Sequence, residues 1–306
     1  MTTLLGGKEI AQQIRNELAA EVQELLARGG RTPGLTAVLV GDDPASQVYV
    51  GSKTRGCEEV GMIGRTLRLP ADITADGLRT AIDGLNADDA VDGILIQLPL
   101  PKGLPERELL ERVAAGKDVD GFHPENVGRL WLDQPGFVSA TPAGVIELLR
   151  RNGIAMAGKH AVVVGRSNIV GKPMAGLLLR EHCTVTVCHS KTADLAAITR
   201  QADILIAAIG RAGFIGADHV RDGAVVIDVG MNRVSDRARA EHLFSAGSPK
   251  RAAFEKNGSA LTGDVDFERV QSKASAITPV PGGVGLLTVA MVLANTLQAA
   301  RRRQGL

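Results

Sequence analysis

From Gly7 to Arg28 apolar residues recur at three- and four-residue intervals (Ile10, Ile14, Leu18, Val22, Leu25, Leu26), and Gly29-Gly30 follows. That spacing is one face of a helix with a glycine stop. Leu35 to Val40 is apolar throughout and closes on Gly41-Asp42-Asp43-Pro44, which predicts a buried strand and a turn. A helix over Ser46 to Val60, a half-exposed strand over Arg65 to Leu69, a helix over Asp76 to Asn86 and a strand over Gly93 to Leu98 follow, the last stopped by Pro99. The β-α-β-α-β order predicts a parallel sheet with right-handed crossovers. Pro142 to Arg151 reads as a helix leading to a second series of strands at 160–165, 184–188, 203–209 and 224–229. A last helix, Leu286 to Arg303, is expected to pack back on the first domain. Val234 to Ala260 is polar, basic and poor in pattern, and is expected to be an insertion on the surface of the second domain.

At 306 residues, 44% of them hydrophobic, the chain is long enough for two α/β domains with substantial cores. A net charge of +1 argues for neither nucleic acid nor an acidic surface as a partner. Cys57, Cys183 and Cys188 are odd in number and lack C-x-x-C spacing, which fits a reducing cytoplasm and no structural zinc. No apolar run reaches a membrane-spanning length, and Met1 to Lys8 lacks the basic-then-apolar order of a signal peptide, so a cytoplasmic location is expected.

The first chemical signal is Gly165-Arg166-Ser167-Asn168-Ile169-Val170-Gly171-Lys172-Pro173. It follows the apolar strand His160 to Val164 and precedes a helical pattern over Met174 to Arg180. Strand, glycine-bearing turn and helix together present backbone N–H groups and a helix N-terminus to a phosphate. The spacing is not G-x-G-x-x-G: Ser167 stands at the second glycine and Gly171 comes one residue late. A tight turn without a ligand is the alternative. After the second strand, Thr184 to Cys188, the chain continues His189-Ser190-Lys191-Thr192. A dinucleotide site that reads NAD places a carboxylate there for the ribose 2′-hydroxyl. Ser190, Lys191 and the loop's Arg166 suit a 2′-phosphate instead, which favours NADP. A solvated surface lysine is the plain alternative.

The first domain holds further candidates, each with a structural alternative. Tyr49 and Lys53, four apart, share one face of a helix; the pair is either functional or a solvated lysine resting on a ring. Gln97 ends an apolar strand, where ligands of parallel sheets bind, or is an amide satisfied by loop backbone. Lys117-Asp118-Val119-Asp120-Gly121-Phe122 puts two carboxylates in a loop, for chemistry or for a turn.

Together these segments resemble the bifunctional methylenetetrahydrofolate dehydrogenase/methenyltetrahydrofolate cyclohydrolase family. The segments are Ser46 to Lys53, Gln97-Leu98-Pro99-Leu100-Pro101, Lys117 to Phe122 and Gly165 to Pro173. Asp228-Val229-Gly230-Met231-Asn232, Gly263-Asp264-Val265 and Pro281-Gly282-Gly283-Val284-Gly285 continue the series in the family's order. The resemblance implies a catalytic, folate-binding domain over 1–140, completed by 280–306, and a Rossmann-like NADP domain over 141–279, with a folate cleft between them. It implies oxidation of 5,10-methylenetetrahydrofolate with NADP, hydrolysis of the methenyl product to 10-formyltetrahydrofolate, and a homodimer. Lys53 would be the acid–base group, Gln97 its positioning partner, Tyr49 a platform for the folate ring and Asp120 the acceptor of the pterin N–H edge. Leu98 and the backbone of Pro281, Gly282, Gly283, Val284 and Gly285 would approach the substrate. Gly165, Arg166, Ser167, Ser190, Lys191 and Met231 would hold NADP.

Some positions depart from the family pattern. Leu286-Leu287-Thr288 follows Gly285 where Pro-Met-Thr is usual, Ser139-Ala140-Thr141-Pro142 stands for Pro-Cys-Thr-Pro, and the segment after Val234 is longer than a short hairpin. A plain NADP dehydrogenase is the runner-up, which would not need the set Tyr49, Lys53, Gln97 and Asp120. A folate- or NADP-binding regulator without turnover is the non-enzyme reading, opposed by the retained Lys53 and Asp120.

Overall fold

In the computed structural model, which describes residues 2–306, the chain runs β1 (Thr3–Leu4), α1 (Lys8–Ala27), β2 (Gly34–Val40), α2 (Pro44–Glu59), β3 (Ile63–Leu69), α3 (Ala75–Ala87) and β4 (Gly93–Ile96). It continues through α4 (Glu106–Arg112), α5 (Pro124–Trp131), α6 (Ala140–Arg151), β5 (His160–Val164), α7 (Gly171–Arg180), β6 (Thr184–Cys188), α8 (Leu195–Thr199) and β7 (Ile204–Ala207). It ends with β8 (Val225–Asp228), β9 (Asn232–Val234), α9 (Arg237–Leu243), α10 (Pro249–Asn257), β10 (Ala260–Thr262), α11 (Phe267–Val270), β11 (Ala276–Ile277) and α12 (Val284–Gln304). Two units result. One comprises Ala11–Ala140 with Thr288–Leu306; the other joins Thr141–Leu287 to the residues up to Ile10.

The unit built on Ala11–Ala140 holds a parallel sheet in the order β3-β2-β4. β2 is central, so both its faces are covered and every residue from Gly34 to Val40 is buried, as an unbroken apolar run predicts. β3 lies at the edge and alternates between exposed and half-buried positions. Val38, Val40, Leu78, Ile82, Ile94 and Ile96 form the core between this sheet and α3. Because the chain passes from β2 to β3 and returns to β4 on the other side of β2, a switch point lies at the carboxyl ends of β2 and β4. Such points are where parallel sheets bind ligands.

The other unit holds a six-stranded, wholly parallel sheet in the order β1-β11-β8-β7-β5-β6. Its switch point lies between β5 and β7, where the glycine loop leaves β5. The outermost strand comes from the start of the chain: Thr3 N donates to Ser275 O and Leu5 N to Ile277 O, both at 2.9 Å. No periodicity announces β1 or β11, since two residues each are too short to show a period.

The structure adds detail in one place and corrects two expectations. Within Val234 to Ala260 the antiparallel pair of β9 and β10 brackets α9 and α10. Val234, Ala240, Leu243, Phe244 and Ala260 form a small core of their own. Helices of seven and nine residues display little apolar period. Their caps were the readable signal, with Asp236 and Ser248 accepting the amides of Arg239 and Arg251 and Gly258 left-handed at φ 68°. First, α7 begins at Gly171, inside the glycine segment rather than at Met174. Second, α12 is by length and composition apolar enough to cross a membrane. The Asn295-Thr296 pair hid this run, yet 56% of its most apolar stretch is buried within the protein, where Leu287, Ala290, Leu293 and Leu297 belong to the core. Burial of that extent is the mark of a core helix.

Candidate functional site

α2 starts where the turn chemistry demands: Pro44 occupies the first turn and the Asp43 carboxylate accepts the Ser46 amide at 2.7 Å. Its buried stripe is Ser46, Val50, Lys53, Gly56 and Cys57. Lys53 is therefore on the inward face at 9% exposure, which excludes the solvated-lysine reading. Tyr49, one turn earlier, is 40% exposed, and partial burial raises its hydroxyl pKa, so it stays protonated near neutrality. Gly56 lets α12 approach: a Cβ there would come within 3.2 Å of Leu293 and Val289.

Lys53 Nζ donates to Gln97 Oε1 at 3.2 Å. Gln97 lies one residue beyond β4, where its backbone N–H still reaches Val38 O at 2.9 Å and keeps it in the ladder. Its Nε2 donates to Leu98 O at 2.8 Å. With the amide nitrogen engaged there, the carbonyl oxygen must face Lys53.

The loop 117–121 separates its structural residues from the one it presents. Lys117 is buried and donates to Leu85 O at 3.0 Å and Asp88 O at 2.7 Å, a cation on the C-terminus of α3. Asp118, 4% exposed, accepts from Gly121 N at 3.1 Å, His123 N at 2.8 Å and Asn126 Nδ2 at 2.9 Å. Val119 O accepts from Asn295 Nδ2 of α12 at 2.8 Å. Gly121 has φ 73°, and a side chain there would strike the backbone of Val138 and Ser139 at 2.6 Å. Asp120, half-buried among these anchors, has no protein hydrogen-bond donor on its carboxylate among the described residues. Burial pushes its pKa up to about 6; the nearby Lys53 ammonium opposes that shift and Asp118 adds to it. Lys53, Gln97 and Asp120 thus converge, with Asp118 behind them as scaffold. Asn295, whose second N–H bond goes to Val138 O at 2.9 Å, is a supporting residue that nothing in the local sequence signals.

In the other unit the glycine loop is shaped by close approach. A Cβ on Gly165 would lie 2.2 Å from Ala208 O, and one on Gly171 would lie 2.3 Å from Gly165 O. Only glycine fits either place. Gly165 N donates to Cys188 O at 2.9 Å, so this loop and the turn after β6 leave the sheet side by side. That puts exposed Arg166, Ser190 and Lys191 at one end of the sheet with no carboxylate from the β6 turn among them. Ser167 Oγ accepts the amides of Val170 at 3.1 Å and Gly171 at 3.3 Å, and so helps to cap α7. The constricted glycines, the helix N-terminus and the two cations fit a dinucleotide carrying a 2′-phosphate.

Two buried carboxylates lock the neighbouring loops. Asp228 accepts from Gly230 N, Asp264 N and Val265 N at 2.9–3.0 Å. Asp264 accepts from Ile209 N, Gly210 N, Arg211 N and Asn232 Nδ2. Gly230 and Gly263 are required there, because a Cβ on either would strike the other loop's carboxylate within 2.3 Å. Burial pushes Asp228 up to about 7, with Asp264 adding to the shift and the backbone donors opposing it. In the sequence both segments show only as motif, and the acid that ends the apolar strand β8 is the local sign of a structural carboxylate. Met231 reaches Gly285, its Cε 3.2 Å from where a Cβ would stand. In the Pro281–Gly285 segment, Gly282 has φ 103°, and its carbonyl accepts Gly7 N at 2.8 Å.

Two family models cover most of the chain. The tetrahydrofolate dehydrogenase/cyclohydrolase catalytic domain matches residues 5–120, and the NAD(P)-binding domain of the same family matches residues 139–304. "Bifunctional protein FolD 1" of Myxococcus xanthus is 54% identical over 307 residues, 99% of each chain. Among solved structures, the Campylobacter jejuni FolD methylenetetrahydrofolate dehydrogenase/cyclohydrolase is 45% identical with a TM-score of 0.87, covering 99% of this chain and all of that one. The Trypanosoma brucei enzyme, solved with NADP cofactor and inhibitor, is 38% identical with a TM-score of 0.88 over 98% of each chain. Matches of this length and identity, over both domains, place the chain in the tetrahydrofolate dehydrogenase/cyclohydrolase family.

Proposed function

We propose that this protein oxidises 5,10-methylenetetrahydrofolate to 5,10-methenyltetrahydrofolate with NADP and then hydrolyses that product to 10-formyltetrahydrofolate. The carrying observation is the convergence of Lys53, Gln97 and Asp120, since a plain NADP dehydrogenase needs no oriented lysine in a second unit. Water adding to the methenyl carbon must lose a proton, and ring opening must place one on nitrogen. Lys53 Nζ, held by Gln97, is placed to exchange both protons. Gln97 Oε1 aims Nζ, and Tyr49 offers a ring face for the folate. Asp120, with both oxygens open, accepts from the pterin N–H edge, and Leu98 is proposed to line the same place.

NADP, when bound, supplies the acceptor for the hydride. Gly165 and Gly171 let its phosphates approach the backbone, and the Ser167 hydroxyl keeps its own proton to donate while its oxygen holds two amides. Arg166, Ser190 and Lys191 would pair with the 2′-phosphate, and Met231 would pack near the cofactor. The Pro281–Gly285 backbone, with little side chain over Gly282 and Gly283, is proposed to present peptide groups to a ligand. The assignment follows the two units: folate chemistry on the unit of Ala11–Ala140 with Thr288–Leu306, and cofactor on the unit that holds Thr141–Leu287. A cytoplasmic homodimer belongs to the same reading.

The test is Lys53→Met. Conversion of methenyltetrahydrofolate to 10-formyltetrahydrofolate, followed by loss of methenyl absorbance, is expected to fall by at least about 10²-fold, the range of a positioned acid–base group. NADP affinity should be unchanged. Hydrolysis at the unmodified rate would remove Lys53 from the mechanism.

A further inference from the structure

α9, α10, β10 and α11 line a half-open pocket of about 530 Å³ that the folate and NADP readings leave unused. Leu243, Phe244, Val265 and Phe267 form its apolar walls. Lys250 enters between the two aromatic rings, its Nζ 5.9 Å from the Phe244 centroid and 5.8 Å from that of Phe267. The ammonium has three protons and one protein acceptor, Thr262 Oγ1 at 3.1 Å. No carboxylate lies within 4 Å of it among the described residues, so it lacks a direct counter-ion.

The nearby acids are committed elsewhere. Asp266 pairs with Arg269 at 3.1 Å, Glu268 accepts the amide and hydroxyl of Ser245, and Asp228 holds three backbone amides. Their charges still reach Lys250 through space. A ligand bearing one negative charge gains the ammonium's two unused protons; a dianion meets stronger repulsion from Asp266 and Glu268, which line the same pocket. The apolar part of the lining adds a surface for an apolar body. We propose that this pocket binds a small, singly charged organic acid with an apolar body, its acid group on Lys250 and its body against the Phe267 side of the lining.

The probe is 8-anilinonaphthalene-1-sulfonate, a singly charged aryl sulfonate, titrated by fluorescence into the full-length protein with and without saturating NADP. One saturable site is expected that persists with NADP, with affinity at least about tenfold weaker in Lys250→Met and Lys250→Gln. The monoanion 4-phenylbenzoate should displace the probe, and inorganic phosphate at equal concentration should not. Dehydrogenase activity of the variants should match the unmodified protein. A second readout uses the unmodified chain: 4-phenylbenzoate should protect Lys250 from acetic anhydride, measured by peptide mass spectrometry. Unchanged probe affinity in folded Lys250 variants, full displacement by NADP, equal competition by phosphate, or acetylation of Lys250 unaffected by 4-phenylbenzoate would each overturn the proposal.

Discussion

Asp118 and Asp120 are two residues apart and chemically identical, yet the fold gives them opposite work. Asp118 accepts three donors from its loop and the start of α5, while Asp120 has none among the described residues. Asp120→Asn is expected to weaken binding of a folate analogue by roughly 30- to 1,000-fold, about 2–4 kcal/mol, because an NH₂ group then faces the pterin donors. Calorimetry should show NADP affinity unchanged. Asp118→Asn is expected to cost about 1–3 kcal/mol of stability in a denaturant titration, with folate affinity lost only as the loop loosens. The pH dependence follows from the value near 6 for Asp120, raised from an ordinary 3.8. If the proposed role of Asp120 holds, folate binding uses the carboxylate, so affinity should be highest above about pH 6 and fall below it. Stability runs the other way: between about pH 4 and 6 the folded chain keeps a proton that the unfolded chain releases, so this contribution to stability is lost as pH rises. In Asp120→Asn both dependences should flatten; an unmodified inflection in folate affinity near pH 6 would mean that another group carries it.

At the scale of elements, the glycine loop and the end of β6 act as one device. Gly171→Ala puts a methyl 2.3 Å from Gly165 O at the first residue of α7, so the loop must shift away from the helix. NADP affinity is expected to drop by at least about tenfold, or 1.4 kcal/mol, with the strand core intact by circular dichroism. Lys191→Ala should do something different. It leaves the loop in place and removes a charge beside the expected 2′-phosphate, so NADP binding weakens while NAD binding hardly moves. Comparing both affinities at one salt concentration checks this, and an equal loss for the two cofactors would place Lys191 elsewhere. Gly165 and the β6 turn were legible in advance because a strand, a glycine and a helix are local patterns. The double duty of Ser167, acceptor of two amides, was not, since it depends on where α7 begins.

For the whole molecule, chain order and spatial order differ most at the ends. Thr3–Leu4 completes the sheet formed by strands from residue 160 onward, and Leu5 beside it is fully buried. Leu5→Ala is expected to lower stability by about 2–4 kcal/mol in chemical denaturation, the usual cost of a core cavity. A loss below about 0.5 kcal/mol would make β1 an ornament of that sheet. At the other end, Asn295 on α12 ties Val119 O and Val138 O, and so steadies the Asp120 loop 175 positions away in sequence. The sequence by itself determined the alternation of strands and helices, the parallel sheets, the glycine loop and the residue types at Lys53, Gln97 and Asp120. Those rest on period, punctuation and motif, all of which are local. Only the tertiary structure decided that Lys53 faces inward, that Gln97 turns its oxygen to it, and that Asp118 is scaffold while Asp120 is presented. It also decided that 234–260 has its own core and that an apolar C-terminal helix is core material. Each of these turns on burial and on hydrogen-bond partners far away along the chain, quantities that no local window contains.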